Sequence, residues 1–113
     1  MNVLFYDFNC PHCHEAKNAI ILINNKLPPE ESIALVYAYG EDPRTAVLAK
    51  IFGNNINEWA TPLLVLDRPK VVETGNALAV QQERLVVTGV FDYKHLYFLI
   101  KRFKKGRLVE GVV

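Results

Sequence analysis

The sequence is poor in cysteine, has no long apolar run and carries almost no net charge. Two cysteines among 113 residues are too few for a secreted scaffold held by several disulfides. No apolar run approaches the roughly 20 residues that span a bilayer, and the first residues do not resemble an export signal. A formal charge of +1 does not predict a general polyanion-binding surface. We therefore expect a cytoplasmic protein without a membrane or nucleic-acid partner.

What is present fits one ordinary globular domain. Half of the residues are apolar, which is typical of a chain that buries a core. A chain of 113 residues is long enough for one domain and too short for two. We therefore predict a single domain over residues 1–113, and a monomer.

The first half of the chain alternates strand and helix patterns. Residues 3–6 form a short apolar run, and Pro11 suits the first position of a helix. Residues 33–39 are almost all apolar, as in a strand of a parallel sheet. Asp42 is the expected N-cap of a second helix that ends at Gly53. This order predicts two parallel strands joined by a right-handed crossover. Apolar residues at helical spacing define the buried face of the first helix: Ala16, Ile20, Ile23 and Leu27.

The second half predicts two strands and a helix. Residues 61–66 and 84–89 are typical of strands, and Asp92 is the expected N-cap of the last helix. Its buried face comprises Leu96, Leu99, Ile100 and Phe103. Residues 67–83 are too long for a hairpin turn, so we predict an insertion before the last strand. It could be an extra strand, a competing partner for the third strand, or a cap over the functional site. The fold class is α/β, with a central mixed sheet flanked by helices.

Both cysteines lie in "FNCPHCH", residues 8–14, which has three interpretations. Cys-x-x-Cys-His can attach haem, but a second axial ligand is poorly supplied and the motif lies between a strand and a helix. Two thiols and two imidazoles could hold a metal. A structural zinc site needs a second ligand pair, which is missing, although Cu(I) can be held by two thiolates. We predict no resident metal or other cofactor.

The third interpretation, a redox-active dithiol, has the strongest physical support. Cys10 falls at the N-cap of a helix, where free N–H groups stabilise a thiolate. Cys13 lies one turn into the helix and should be more buried. This asymmetry makes Cys10 the attacking thiol and Cys13 the resolving thiol. His12 could add a hydrogen-bond donor or a charge beside Cys10, or be only a tolerated surface residue, as we expect for His14.

With a strand, Cys-Pro-His-Cys, a helix, a parallel strand and "ATP" before the third strand, the chain resembles the thioredoxin superfamily, and glutaredoxin-like proteins most. The resemblance implies a glutaredoxin-type three-layer fold and catalytic roles for Cys10, Pro11, His12 and Cys13. It implies a cis peptide bond before Pro62. Residues expected to bind substrate are Thr61, Pro62, Gly89 and Asp92, the last also a plain helix cap.

Two departures from the glutaredoxin pattern concern glutathione. Asp7 occupies the position where glutathione-using members tend to have Lys. The loop "TGVFD" keeps Gly89 and Asp92, but has Thr88 in place of the first Gly. Glutathione is therefore a possible co-substrate, and a protein dithiol is an equal alternative.

The predicted function is thiol–disulfide exchange with protein disulfides or glutathione mixed disulfides, served by an upstream reductase. The alternative is a thioredoxin-fold binding module, or a soft-metal carrier for Cu(I) or zinc that uses the same two cysteines. The basic segment at residues 101–107, "KRFKKGR", is interpreted as a solvated helix end, with nucleic-acid binding as the alternative that the small net charge disfavours. Trp59, just before the presumed cis-proline, could flank the dithiol or cap the core.

Overall fold

The structure is a computed structural model that describes residues 1–89 and 91–105. Val90 of the "TGVFD" loop, and Gly106 and Arg107 of the basic segment, lie outside the described residues. No helix within the described ranges is long and apolar enough to cross a membrane.

Within the part of the chain that the structure describes, four strands and three helices follow the predicted order. The strands are β1 (Asn2–Tyr6), β2 (Ala34–Tyr37), β3 (Leu63–Thr74) and β4 (Ala77–Thr88), and the helices are α1 (Pro11–Asn24), α2 (Ala46–Phe52) and α3 (Tyr93–Lys104). Short 3-10 turns occupy Pro29–Glu31, Pro43–Thr45 and Ile56–Glu58. The α/β class is confirmed.

The strands form one mixed sheet in the order β2-β1-β3-β4. β1 and β2 are parallel, as predicted, with Val3 opposite Ala34. β3 is antiparallel to β1 and to β4. Because β1 runs into α1 while β3 starts opposite the end of β1, the beginnings of α1 and β3 meet at one end of the sheet.

Helices cover both faces of this sheet, so the molecule has three layers. Leu4 and Leu64 point to one face, where they pack with α1 and α3. Val3 and Phe5 point to the other face and pack with Val47 of α2 and its neighbours. Successive strand residues alternate between faces, so one short apolar strand contributes to two cores.

Most of the predicted helix ends are confirmed. Pro11 is the first residue of α1, and Asp92 caps α3 by accepting a hydrogen bond from the His95 N–H. Asp42 instead caps the 3-10 turn Pro43–Thr45, where it accepts from the Arg44 N–H, and α2 begins only at Ala46. Gly53 follows α2 with a φ of 92°, in the left-handed region that favours glycine. The predicted inner faces of α1 and α3 are also confirmed, with Leu27 and Leu99 only partly buried.

The predicted insertion at residues 67–83 is wrong. β3 and β4 continue as one ladder from Leu63 opposite Thr88 to Thr74 opposite Ala77. Gly75, with a φ of 57°, begins the two-residue turn that joins them, as in a type II′ hairpin. The sequence pattern failed because this part of the hairpin leaves the core, so its residues need not alternate between buried and exposed.

We call residues 67–84, the part of the hairpin beyond the core, the β-ribbon. A strand advances roughly 3.3 Å per residue, so the turn lies roughly 35 Å from the start of β3. β3 pairs antiparallel with β1, which places the turn at the far end of the sheet from Cys10. A cap over the dithiol, one interpretation of this segment, is therefore wrong.

Candidate functional site

Cys10 lies at the junction between β1 and α1, where the backbone is extended. It is the N-cap of α1, with φ −113° and ψ 110°. Its sulfur accepts a hydrogen bond from the Cys13 N–H at 3.2 Å. Pro11 occupies the first helical position, where its missing N–H breaks no helical hydrogen bond. The cap therefore holds the sulfur against the N-terminal end of the helix, where partial positive charge collects.

The start of β3 faces this sulfur from the other side. The Thr61–Pro62 peptide bond is cis, as the family resemblance implied. The Cys10 thiol donates a hydrogen bond to the Thr61 carbonyl at 3.6 Å. The two residues are 51 positions apart in sequence, and the antiparallel pairing of β1 with β3 brings them together.

Cys13 has a different environment, although it is only one turn away. It is 1 % exposed, whereas Cys10 is half-buried. The Asp7 N–H donates to the Cys13 sulfur at 3.5 Å. Burial raises the pKa of the Cys13 thiol, and the neighbouring Cys10 side chain raises it further. The prediction that Cys13 is the more buried thiol is therefore confirmed.

A cavity of about 600 Å³ opens beside the Thr61–Pro62 bond. It is lined by His12, Glu15, Ala60, Thr61, Pro62, Thr88, Gly89, Phe91 and Asp92. The fold thus brings His12 of α1 together with every residue predicted to bind substrate. Pro11 is exposed outside the lining of this cavity.

Gly89 and Asp92 each have a structural role besides lining the cavity. Gly89 has a φ of 84°, which disfavours residues with a side chain. Asp92 accepts the His95 N–H at 3.2 Å, and this hydrogen bond lowers the pKa of its carboxyl. Asp92 therefore caps α3 and also presents a negative charge to the cavity.

An aromatic cluster adjoins the dithiol, and the sequence analysis missed most of it. We define it as Tyr6, Phe8, Tyr37, Tyr39 and Trp59. Phe8 lies 4.7 Å from Tyr37 between ring centroids, and Tyr39 stacks on Trp59 at 5.9 Å with nearly parallel rings. A sequence signal was available, because Tyr6 and Tyr37 belong to the two strands that were predicted to be parallel. The structure pairs these two residues.

The aromatic cluster is close enough to the site to share its electrostatics. Burial raises the pKa of Tyr39, and the Asp7 carboxylate raises it further. Phe8 is 63 % exposed, which is unusual for a phenylalanine. Trp59 donates its indole N–H to the Gly53 carbonyl at 2.8 Å. The cluster therefore offers a partly exposed apolar surface beside Cys10.

The described residues do not form a cluster of three or more metal-ligating side chains. Across residues 1–89 and 91–105, no three His, Cys, Asp or Glu side chains gather closely enough to hold an ion. His12 and His14 both have exposed side chains.

No protein-family model, curated protein or solved structure matches this chain.

Proposed function

We propose that this protein is a thiol–disulfide oxidoreductase with a glutaredoxin-like fold. The observation that carries the proposal is the position of the Cys10 sulfur. It is capped by the Cys13 N–H at 3.2 Å, faces the Thr61 carbonyl beside the cis bond at 3.6 Å, and has its partner thiol buried behind it. A location in the cytoplasm, expected from the sequence, belongs to the same proposal.

The two thiols have different roles in the proposed reaction. The deprotonated Cys10 sulfur attacks one sulfur of the substrate disulfide, forming a mixed disulfide and releasing the other sulfur as a thiolate. The Cys13 sulfur then attacks Cys10, and its proton goes to the second departing thiolate. The substrate gains two electrons and the protein ends as the Cys10–Cys13 disulfide. A reductase, or a dithiol, returns it to the reduced form.

The Thr61 backbone and the adjoining cavity are proposed to hold the substrate. An extended segment next to the cis bond can pair with the Thr61 backbone as a strand would. The exposed ring of Phe8 gives a protein partner an apolar contact. Glutathione remains the alternative co-substrate, but Glu15 and Asp92 in the cavity and Asp7 beside the dithiol repel its carboxylates.

The proposal is tested by turnover with two substrates. We expect the wild-type protein to accelerate insulin reduction by dithiothreitol, and to do so more than it accelerates reduction of a glutathione mixed disulfide. Cys10→Ser should abolish both activities. Cys13→Ser should accumulate a covalent mixed disulfide with the substrate, visible by mass spectrometry under non-reducing conditions.

His12 and His14 provide a test variant and a matched control for the role of the cavity. His12→Ala should change the turnover rate because His12 lines the cavity, whereas His14→Ala should not, because His14 lies about half a turn round the helix and outside that lining. Absence of turnover with both cysteines intact and reduced would contradict the proposal. The thiol pair would then be better explained as a binding or Cu(I)-carrying site.

A further inference from the structure

A second groove runs along the outer face of α3, and neither cysteine is among its lining residues. Its volume is about 540 Å³, and it is lined by Lys26, Tyr93, Lys94, Tyr97, Phe98, Lys101, Arg102 and Lys105. Lys26 comes from the turn after α1, and the other residues come from α3 or directly follow it. We call it the basic groove. Among the described residues that line it, five of eight are cations and none is a carboxylate.

The cations and rings of the basic groove are interleaved. The Lys26 ammonium lies 5.5 Å from the centroids of Tyr93 and Tyr97. Lys101 lies 5.2 Å from the Tyr97 ring. These contacts hold the long side chains in place before any ligand arrives, and a hydrogen bond with Tyr93 raises the pKa of Lys26.

The spacing along α3 produces a stripe of alternating character. Lys94, Phe98, Lys101 and Lys105 follow one another at steps of 4, 3 and 4 residues, which places them on one helical face. The stripe is about 16 Å long at 1.5 Å per residue. Phe98, 57 % exposed, lies between cations on both sides.

The net charge of the whole chain does not reveal the concentration of positive charge in the basic groove. The whole chain has a formal charge of +1, which led us to expect no nucleic-acid partner. Five of its 13 lysine and arginine residues line the basic groove, so the remainder of the chain is net negative. A local field of one sign in a concave surface attracts an oppositely charged ligand even when the total charge is small.

We propose that the basic groove binds single-stranded nucleic acid. Phosphates contact Lys94, Lys101 and Lys105 along the stripe, and a base packs on Phe98 between them. Single strands are bound in this way by other proteins, through a positive groove that follows the backbone and aromatic rings that stack on bases. The proposal is independent of the thiol chemistry.

The exposed ring of Phe98 separates this ligand from other polyanions. A planar anionic membrane offers charged headgroups to the cations but no planar base to stack on the ring. A duplex keeps its bases inside its own stack. A single strand is slender and exposes both the phosphates and the base faces.

The test is fluorescence anisotropy of a fluorescein-labelled 12-nucleotide single strand of thymidine, titrated with the full chain in low salt. Each phosphate contact on a single strand contributes about −0.7 to the slope of log affinity against log salt, so the three proposed contacts predict a slope of about −2. Lys101→Glu should weaken binding by about tenfold and make the slope shallower. Phe98→Ala should weaken binding by a similar factor without changing the slope.

Lys50→Glu is the matched control, because it makes the same charge change on the exposed side of α2. It should alter binding by less than about twofold, and Cys10→Ser should leave it unchanged. Circular dichroism checks that each variant is folded. The proposal is overturned if the single strand does not bind at 50 mM salt, if Lys50→Glu weakens binding as much as Lys101→Glu, or if a 12-base-pair duplex or phosphatidylserine vesicles bind as tightly.

Discussion

Cys10 and Cys13 lie at the start of the same helix, and they differ in exposure because of their positions there. The N-cap position leaves Cys10 partly exposed, with its sulfur accepting the Cys13 N–H. One turn later, the Cys13 side chain points inward and is 1 % exposed. Burial removes solvation from a thiolate, which raises the pKa of the buried thiol.

At the scale of the residue, we predict that iodoacetamide distinguishes the two thiols. In the reduced protein at pH 7, Cys13 should be alkylated at least about tenfold more slowly than Cys10, because Cys13 is buried and its raised pKa keeps it a neutral thiol. Peptide mass spectrometry of samples quenched at successive times measures both rates. The Cys13 rate should rise only at alkaline pH.

The same shift affects stability. A thiol whose folded pKa is raised stabilises the reduced protein below the pKa of an unfolded cysteine, and this contribution is lost as the pH rises through the folded value.

The control for the iodoacetamide labelling is the urea-unfolded reduced protein, in which both cysteines should react alike. Equal rates in the folded protein would contradict the assignment of Cys13 as the buried resolving thiol.

At the scale of the element, α1 is fixed at both of its ends. Cys10 caps its first turn. At the other end, the Asn24 side chain donates to the Ile33 carbonyl at 2.9 Å and accepts from the Ile33 N–H at 2.8 Å. These two hydrogen bonds replace a strand partner for the backbone just before β2. They therefore set the position of α1 relative to the parallel pair of strands.

We predict that Asn24→Ala destabilises the protein by about 2 kcal/mol. Each lost hydrogen bond costs on the order of 1 kcal/mol, and the Ile33 backbone groups are left without a partner. Urea unfolding followed by circular dichroism measures the change in the free energy of unfolding.

The neighbouring Asn25 is the matched control. Its side chain is exposed, and Asn25→Ala should change the free energy of unfolding by less than about 0.5 kcal/mol. Equal effects of the two substitutions would show that the side-chain bridge to Ile33 does not stabilise α1.

At the scale of the whole molecule, the β-ribbon is the least supported part of the fold. One face of it carries Val71, Leu78 and Val80, which are 64 %, 73 % and 68 % exposed. On the other face, Glu83 pairs with Arg68 and Lys70. A two-stranded hairpin alone is marginally stable in water, so these ion pairs and the adjoining sheet hold the β-ribbon in place.

Shortening the β-ribbon should leave the proposed thiol activity intact. Deleting residues 71–74 and 77–80 joins Lys70 to Gln81, which are register partners, through the native Gly75-Asn76 turn. Removing four residues from each strand keeps the side-chain alternation. We expect turnover of insulin within about twofold of wild type, because the nearest deleted residue, Val71, is roughly 26 Å along the strand from the start of β3.

Val80→Thr in the full-length β-ribbon is the control, because it removes apolar surface without shortening the β-ribbon. It should also leave turnover unchanged. A large loss of turnover in the shortened variant, with the fold intact by circular dichroism, would mean that the β-ribbon contributes to substrate binding.

Most elements and the dithiol could be predicted from the sequence because their signals are local. Pro11 and Gly53 are backbone signals, Asp92 is a cap signal, and the apolar spacing of α1 follows directly from 3.6 residues per turn. The β-ribbon could not be predicted in this way. Its residues pair with each other and not with a core, so neither face needs an apolar pattern.

By itself, then, the sequence determined the order of strands and helices, the helix ends and the pairing of an N-cap cysteine with an inner one. Only the tertiary structure decided which distant residues meet: Thr61 with Cys10, Tyr39 with Trp59, and Lys26 with the rings of α3. The reason is physical. Helix caps and periodicity depend on residues a few positions apart, whereas a site or a groove depends on strand order and on how layers pack, which arise from contacts between residues distant in the sequence.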